Sequence, residues 1–153
     1  MTSPDQRLAE LGLELPAIPP LPFTSKLLPV LEHGRLAYLS GIGPVGLAEG
    51  TVGDELTVEQ GYEAARQTGL LALRRLVQAF GELDRVEQWV RVLGFVRSAP
   101  GFADQPSVLN GFTDVVVAVF GEERGLCARS AIGVNALPAG IPVEVEAVVA
   151  LRA

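Results

Sequence analysis

Residues 126–151, LCARSAIGVNALPAGIPVEVEAVVAL, set an arginine in one apolar stretch and two glutamates at alternate positions of the next. The two-residue alternation predicts half-buried strands over 128–134 and 143–151, joined through a Leu137-Pro138 turn. Charges carried into such surroundings cost several kcal/mol unless something pairs them. The fold must therefore supply partners for Arg129, Glu144 and Glu146, or leave room for a ligand that does. An anionic ligand between the two strands is one such partner.

Alternation places Cys127, Arg129 and Ala131 on one face of their strand, with Ala128, Ser130 and Ile132 on the other. The planar fork of Arg129 suits a carboxylate held by two parallel hydrogen bonds. A structural ion pair with Glu144 or Glu146 stands as an equal alternative. The two glutamates share a face. One of them can place or activate water, its pKa raised by a dry site or lowered by Arg129. On residue pattern alone, two glutamates facing solvent from an edge strand is the simpler reading. Cys127 has no base nearby in sequence to activate it and reads as a small buried apolar residue.

The rest of the chain supplies a sheet and its cover. Residues 1–26 form an N-terminal arm, with leucines at 8, 11, 13 and 15 and prolines at 16, 19, 20 and 22 that prevent regular structure after a short helix or edge contact. Residues 27–153 form a single domain. Leu27–Glu32 and Arg35–Ser40 read as a hairpin closed by His33-Gly34, with Gly41-Ile42-Gly43-Pro44 ending its second strand. A helix spans Thr57–Phe80 on the spacing of Val58, Tyr62, Ala65, Gly69, Leu73, Leu76 and Phe80. Thr57 and Gln60 form its capping box, and Gly81 stops it. Its arginines, Arg66, Arg74 and Arg75, are expected in solvent. Val86–Val96 reads as a strand offering Trp89 and Phe95 for packing. A second helix opens at Asp104 and Pro106 and closes at Gly121, despite the β-prone Val115-Val116-Val117. Two helices can cover one face of five or six strands; the other face needs a second chain.

Composition removes several function classes. The 153 residues carry a net charge of −6 and one lysine, Lys26, and the only basic cluster is Arg74-Arg75, so no basic stripe serves nucleic acid. One cysteine excludes an internal disulfide or a thiolate metal cluster, and the single histidine, His33, disfavours a metal site. No apolar run approaches the roughly 18 residues of a membrane span, and no signal pattern opens the chain. The expectation is a cytoplasmic protein without metal, membrane or nucleic-acid partner. Its glycines at 41–50 lack the spacing of a dinucleotide loop.

Three segments carry a resemblance to a known family. Gly34–Gly41 (GRLAYLSG) resembles the first hairpin strand of the YjgF/RidA imine deaminases, which ends in Ser-Gly. Asn110–Gly121 resembles the family's second helix, and Ala128-Arg129-Ser130-Ala131 with Leu137-Pro138 and Val143–Ala147 resembles its signature. The Ser98–Phe102 segment and longer loops place the chain nearer a divergent branch.

The resemblance implies an α+β, chorismate-mutase-like fold: a mixed sheet with two helices on one face, three copies forming a trimeric barrel with sites between subunits. It implies hydrolysis of reactive 2-imino acids to 2-keto acids and ammonia, without a cofactor. Arg129 would clamp the carboxylate and Glu144 would place water, with Ser130, Ala131, Ser40, Gly41 and Asn110 binding substrate. Two departures stand out: Ala131 replaces a cysteine frequent in the family, and Leu27 falls where an aromatic is usual, with Phe23 nearby. A non-catalytic trimer binding small carboxylates, or a regulatory protein of the same fold, is the competing implication.

Overall fold

A computed structural model describes residues 2–20, 25–44, 46 and 48–153; Phe23 and Pro22 lie outside them. The elements are a short helix α1 (Pro4–Glu10), strands β1 (Val30–His33) and β2 (Leu36–Ile42), helix α2 (Val58–Phe80), strand β3 (Val86–Arg97), helix α3 (Gln105–Gly125), and strands β4 (Ala128–Val134) and β5 (Val143–Leu151). Two 3₁₀ turns, Leu83–Arg85 and Pro138–Gly140, precede β3 and β5. The five strands form one mixed sheet in the order β1-β2-β5-β3-β4, in which only the β3–β4 pairing is parallel. The fold is the expected α+β arrangement.

Local chemistry accounts for the helix ends. Thr57 Oγ1 accepts from the Gln60 amide and Gln60 Oε1 accepts from the Thr57 amide, so the capping box forms as its spacing predicts. Gly81 ends α2 with φ at 86°. Gly121, with φ at 75°, breaks the helical path of α3, but one further turn continues to Gly125 before β4. The β-prone valines stay helical because Val115 and Val116 are buried against the core; packing overrides propensity.

Both long helices cover the same sheet face. Ala37, Leu39, Trp89, Val92, Val96, Val143, Val145, Val149 and Leu151 meet them there. Trp89 is fully buried, with Phe112 and Phe120 edge-on at 5.8 and 6.0 Å. Phe95 takes the opposite side, alternating with Val96. The helices approach so closely that a Cβ on Gly111 would run into the Tyr62 carbonyl oxygen.

Further sequence expectations change, the first strand starting at Val30 rather than Leu27. The hairpin turn lies one residue later than predicted: His33 pairs with Leu36, leaving Gly34-Arg35 as the loop, with Gly34 at φ 62°. Strand β2 runs past Ser40 to Ile42, because a bulge absorbs Ser40-Gly41 opposite the single Glu146. Arg75 is not in solvent but 7% exposed; its Nη1 donates to the Ser40 carbonyl at 3.5 Å, and burial lowers its pKa. The glutamates do not ride an edge strand, since β5 lies between β2 and β3.

The arm forms α1, capped by Ser3 with Gln6. The Asp5 carboxylate accepts from the Leu83 and Asp84 amides, and Leu8, Leu13, Leu15 and Ile18 pack on the core. No helix among the described residues is long and apolar enough to cross a membrane.

Candidate functional site

Arg129 sits on β4 opposite Val92 of β3, and its side chain shares the helix-facing side of the sheet. There its Nη1 donates to Asn110 Oδ1 at 2.9 Å and Thr113 Oγ1 at 3.1 Å. Asn110 and Thr113 are three apart on α3 and so present one polar ledge. Neither Glu144 nor Glu146 pairs with the guanidinium; no acidic group among the described residues lies within ion-pair distance of Arg129. One edge of the fork is tethered, and Nε and Nη2 carry no hydrogen bond among the described residues. The ledge opens into a cleft of about 390 Å³ that Asn110, Thr113, Cys127 and Arg129 help to line.

Cys127 lies in that cleft as a half-buried thiol. Burial raises its pKa, and the charge of Arg129 opposes that shift with a smaller effect. It is a thiol at neutral pH, packed with Ala131 against the core.

Glu144 occupies the other face of the sheet. It pairs with Phe95 and lies beside the β2 bulge. A Cβ built on Gly41 would come within 3.0 Å of the Glu144 carboxyl carbon and 3.1 Å of Oε2. Glycine at 41 is what lets the carboxyl rest there. Burial raises the Glu144 pKa above 4.5, and the neighbouring Glu146 carboxylate adds to the shift. The bulge is itself tied down: Ser40 Oγ donates to the Leu28 carbonyl at 2.6 Å, and the Ser40 amide donates to Pro29.

The predicted residues thus fall into two groups. Arg129, Asn110 and Ala131 gather where β4 meets α3. Ser40, Gly41 and Glu144 gather on the uncovered face, where the Ser130 side chain also points by alternation. Strand β3 separates β4 from β5, a distance of about 10 Å between strand axes, and the two charges point to opposite sides. A small anion cannot sit between these strands in one chain and touch both. The ledge of Asn110 and Thr113 is the part residue-by-residue reasoning missed as arginine support; its signal is two polar residues three apart beside the buried Leu109 and Phe112 of α3. Among the described residues no group of three or more His, Cys, Asp or Glu side chains is placed to hold a metal ion.

The sequence pattern of the family described as "YjgF/chorismate_mutase-like, putative endoribonuclease" matches residues 5–145. The chain belongs to the YjgF/chorismate-mutase-like family. It is 41% identical over 149 residues to Protein TCP17 of Trypanosoma cruzi, covering 95% of this chain and 92% of that protein. Among solved YjgF-like structures, "a putative endoribonuclease" from Shewanella oneidensis MR-1 superposes with a TM-score of 0.90 at 30% identity, covering 97% of this chain and 99% of that one. The protein Atu1372 of Agrobacterium tumefaciens gives 0.85 at 31% identity, covering 97% and 91%.

Proposed function

We propose that this YjgF-family chain hydrolyses 2-imino acids to 2-keto acids and ammonia, at a site shared by two copies within a homotrimer. The observation that carries the reading is the half-tethered fork of Arg129, fixed by Asn110 and Thr113 with its other edge unpaired. A carboxylate is the ligand that geometry suits. A 2-imino acid bears its electrophilic C=N carbon next to that carboxylate.

Arg129 of one copy holds the substrate carboxylate, and Glu144 of the next faces the C=N carbon from its place over Gly41. Glu144 takes a proton from water as the oxygen adds to carbon and passes it to the imine nitrogen, giving a neutral carbinolamine. Glu144 then takes the carbinolamine hydroxyl proton as the C=O bond forms and returns it to the nitrogen as the C–N bond breaks, releasing the keto acid and ammonia. The raised pKa of Glu144 makes its carboxylate a stronger base than an exposed glutamate. Large apolar side chains left on the uncovered face, Leu31 at 50% and Ile132 at 43% exposed, support its burial by another copy.

The family description also names an endoribonuclease, and a carboxylate-binding assembly without catalysis would use Arg129 alone. A chain of net charge −6 suits a small anion better than a phosphate backbone. The position of Glu144, half-buried over a glycine rather than free in solvent, favours catalysis over binding alone.

One experiment separates these readings. Protein is added to 2-iminopropanoate generated in situ by an L-amino-acid oxidase, with semicarbazide competing for the imine, and in parallel to single-stranded RNA. Faster keto-acid formation with intact RNA is expected. Unchanged keto-acid formation would remove the hydrolase, and pyruvate binding by calorimetry would then leave the binding assembly. Sedimentation equilibrium is expected to give three times the 16.2 kDa chain mass.

A further inference from the structure

We infer that Arg75, buried on the helix side of the sheet, is a positioning residue for Glu144: it holds the Ser40-Gly41 bulge against which the Glu144 carboxyl rests. The inference rests on the imine-hydrolase reading and adds a residue to its machinery.

Arg75 is a charge in a place that suits methionine or leucine. On α2 it follows the buried Leu71 and Ala72 by one turn. No acidic side chain among the described residues lies within ion-pair distance of it, and its Nε is buried without a hydrogen-bond partner. Its one hydrogen bond among those residues runs from Nη1 to the Ser40 carbonyl. Burial without a counter-charge is costly for a guanidinium, and an apolar side chain of similar volume would pack there at less cost. A charge kept where local rules oppose it points to a task other than packing.

The acceptor identifies the task. Ser40 and Gly41 lie between two regular pairs, Leu39 with Ala147 and Ile42 with Val145, so the bulge needs anchors beyond the ladder. Ser40 has three. Its amide donates to the Pro29 carbonyl, its hydroxyl donates to the Leu28 carbonyl, and its own carbonyl accepts from Arg75. The first two tie it sideways to the segment entering β1. Arg75 alone ties it to a helix. On the opposite face the Glu144 carboxyl carbon lies 3.0 Å from where a Gly41 Cβ would stand. Arg75 and Glu144 thus meet one bulge from the two sides of the sheet, and a shift of the Ser40 carbonyl moves the seat of the carboxyl.

The consequence has a pH signature. Burial is the main cause of the raised Glu144 pKa, so a bulge that relaxes and lets the carboxyl into water lowers that pKa. The other charged or titratable groups on this face of the surrounding strands are Glu146 on β5, Tyr38 on β2, and Arg91 and Arg97 on β3. All of them stay in place when Arg75 is replaced.

The test compares wild type with Arg75→Met, Arg75→Gln and Arg75→Lys on one imine, each checked for assembly by sedimentation. Methionine fills the space without a donor, glutamine carries a donor too short for the carbonyl, and lysine reaches it. Arg75→Met should lower kcat roughly tenfold to a hundredfold by misplacing the base. Its KM should stay within about twofold, because the Arg129 clamp is untouched. The midpoint of its pH–rate profile should move down toward that of an exposed glutamate. Arg75→Gln should match it, and Arg75→Lys should recover most of the rate and the midpoint. An unchanged kcat overturns the inference, as does a lowered kcat with the wild-type midpoint. So does an Arg75→Lys protein no better than Arg75→Met, or failure of all three variants to fold, which makes Arg75 a structural group. If wild type turns over no imine, the hydrolase reading falls by itself. Carbon-13 titration of the Glu144 carboxyl, assigned by its absence in Glu144→Gln, then decides the positioning role. A lower midpoint in Arg75→Met than in wild type supports it, and an equal midpoint overturns it.

Discussion

Arg129 and Glu144 stand on opposite faces of one sheet with strand β3 between them. If both serve one reaction, each site takes its arginine and its glutamate from different copies. Arg129→Ala and Glu144→Gln should each lose at least about 99% of the activity alone. Unfolded together and reassembled at equal ratio, they should recover activity in about a quarter of the sites, the fraction where an intact arginine meets an intact glutamate. Co-refolding followed by a turnover assay measures this. Recovery no greater than the summed activities of the two pure variants would place both residues in separate roles.

The Asn110–Thr113 ledge makes a graded prediction. Each hydrogen bond to a charged group is worth roughly 1.5–3 kcal/mol, so Asn110→Ala should lower kcat/KM roughly tenfold to a hundredfold by loosening the fork. Arg129→Ala should cost on the order of 10²–10⁴. Arg129→Lys should fail nearly as badly, since an ammonium cannot reproduce two parallel donors. Steady-state kinetics on one imine ranks all three. An Asn110→Ala protein at full rate would show that β4 alone orients the arginine.

The strands that carry these charges were legible because period-two alternation and a Leu-Pro turn are local signals; β4 and β5 span 128–134 and 143–151 as the pattern predicts. The capping box of Thr57 and the stop at Gly81 were equally local. Which way Arg129 and Glu144 point relative to one another was not. That depends on β3 inserting between their strands in a register that sets Val92 opposite Arg129 and Phe95, an odd step further on and so on the other face, opposite Glu144. The burial of Arg75 escaped for a related reason: only the bulge turns a Ser40 carbonyl toward that helix. Asn110 came from resemblance, and its contact with the guanidinium came from the fold.

Cys127 lies in the Arg129 cleft, yet burial keeps its pKa above the ordinary thiol value. Cys127→Ser should retain kcat/KM within about twofold, because a neutral thiol neither attacks nor clamps. Loss of turnover in an intact assembly would demand a covalent step.

Helix packing offers a test independent of function. A Cβ at Gly111 has no space before the Tyr62 carbonyl, so Gly111→Ala must push α2 and α3 apart. Overpacking of this kind costs about 1–3 kcal/mol, a fall in Tm of roughly 3–10 °C for a chain of this size. Thermal unfolding checks it. An unchanged Tm would mean that the helices separate there without cost.

Glu144 couples stability to catalysis with opposite signs. Its folded pKa is raised above 4.5 by burial first and by Glu146 second, so the native state holds its proton to higher pH than the unfolded chain does. Stability contributed by the protonated form is fully present below the unfolded value and is lost as pH rises through the folded one. At neutral pH the wild-type chain therefore carries an ionised carboxylate at a site that favours the neutral form. Glu144→Gln removes that charge while keeping the shape. It should unfold at a higher temperature than wild type at pH 7, and the advantage should vanish at acid pH, where both side chains are neutral. The same variant should bind a keto-acid product through Arg129 yet turn over imine on the order of 10²-fold more slowly or worse, lacking the base. The wild-type rate should rise with pH through a midpoint above that of an ordinary glutamate. Melting curves at two pH values and a pH–rate profile measure both halves. A Glu144→Gln protein that melts lower at pH 7 would show that the carboxylate is paired in the assembly, with the partner copy's cation stabilising it.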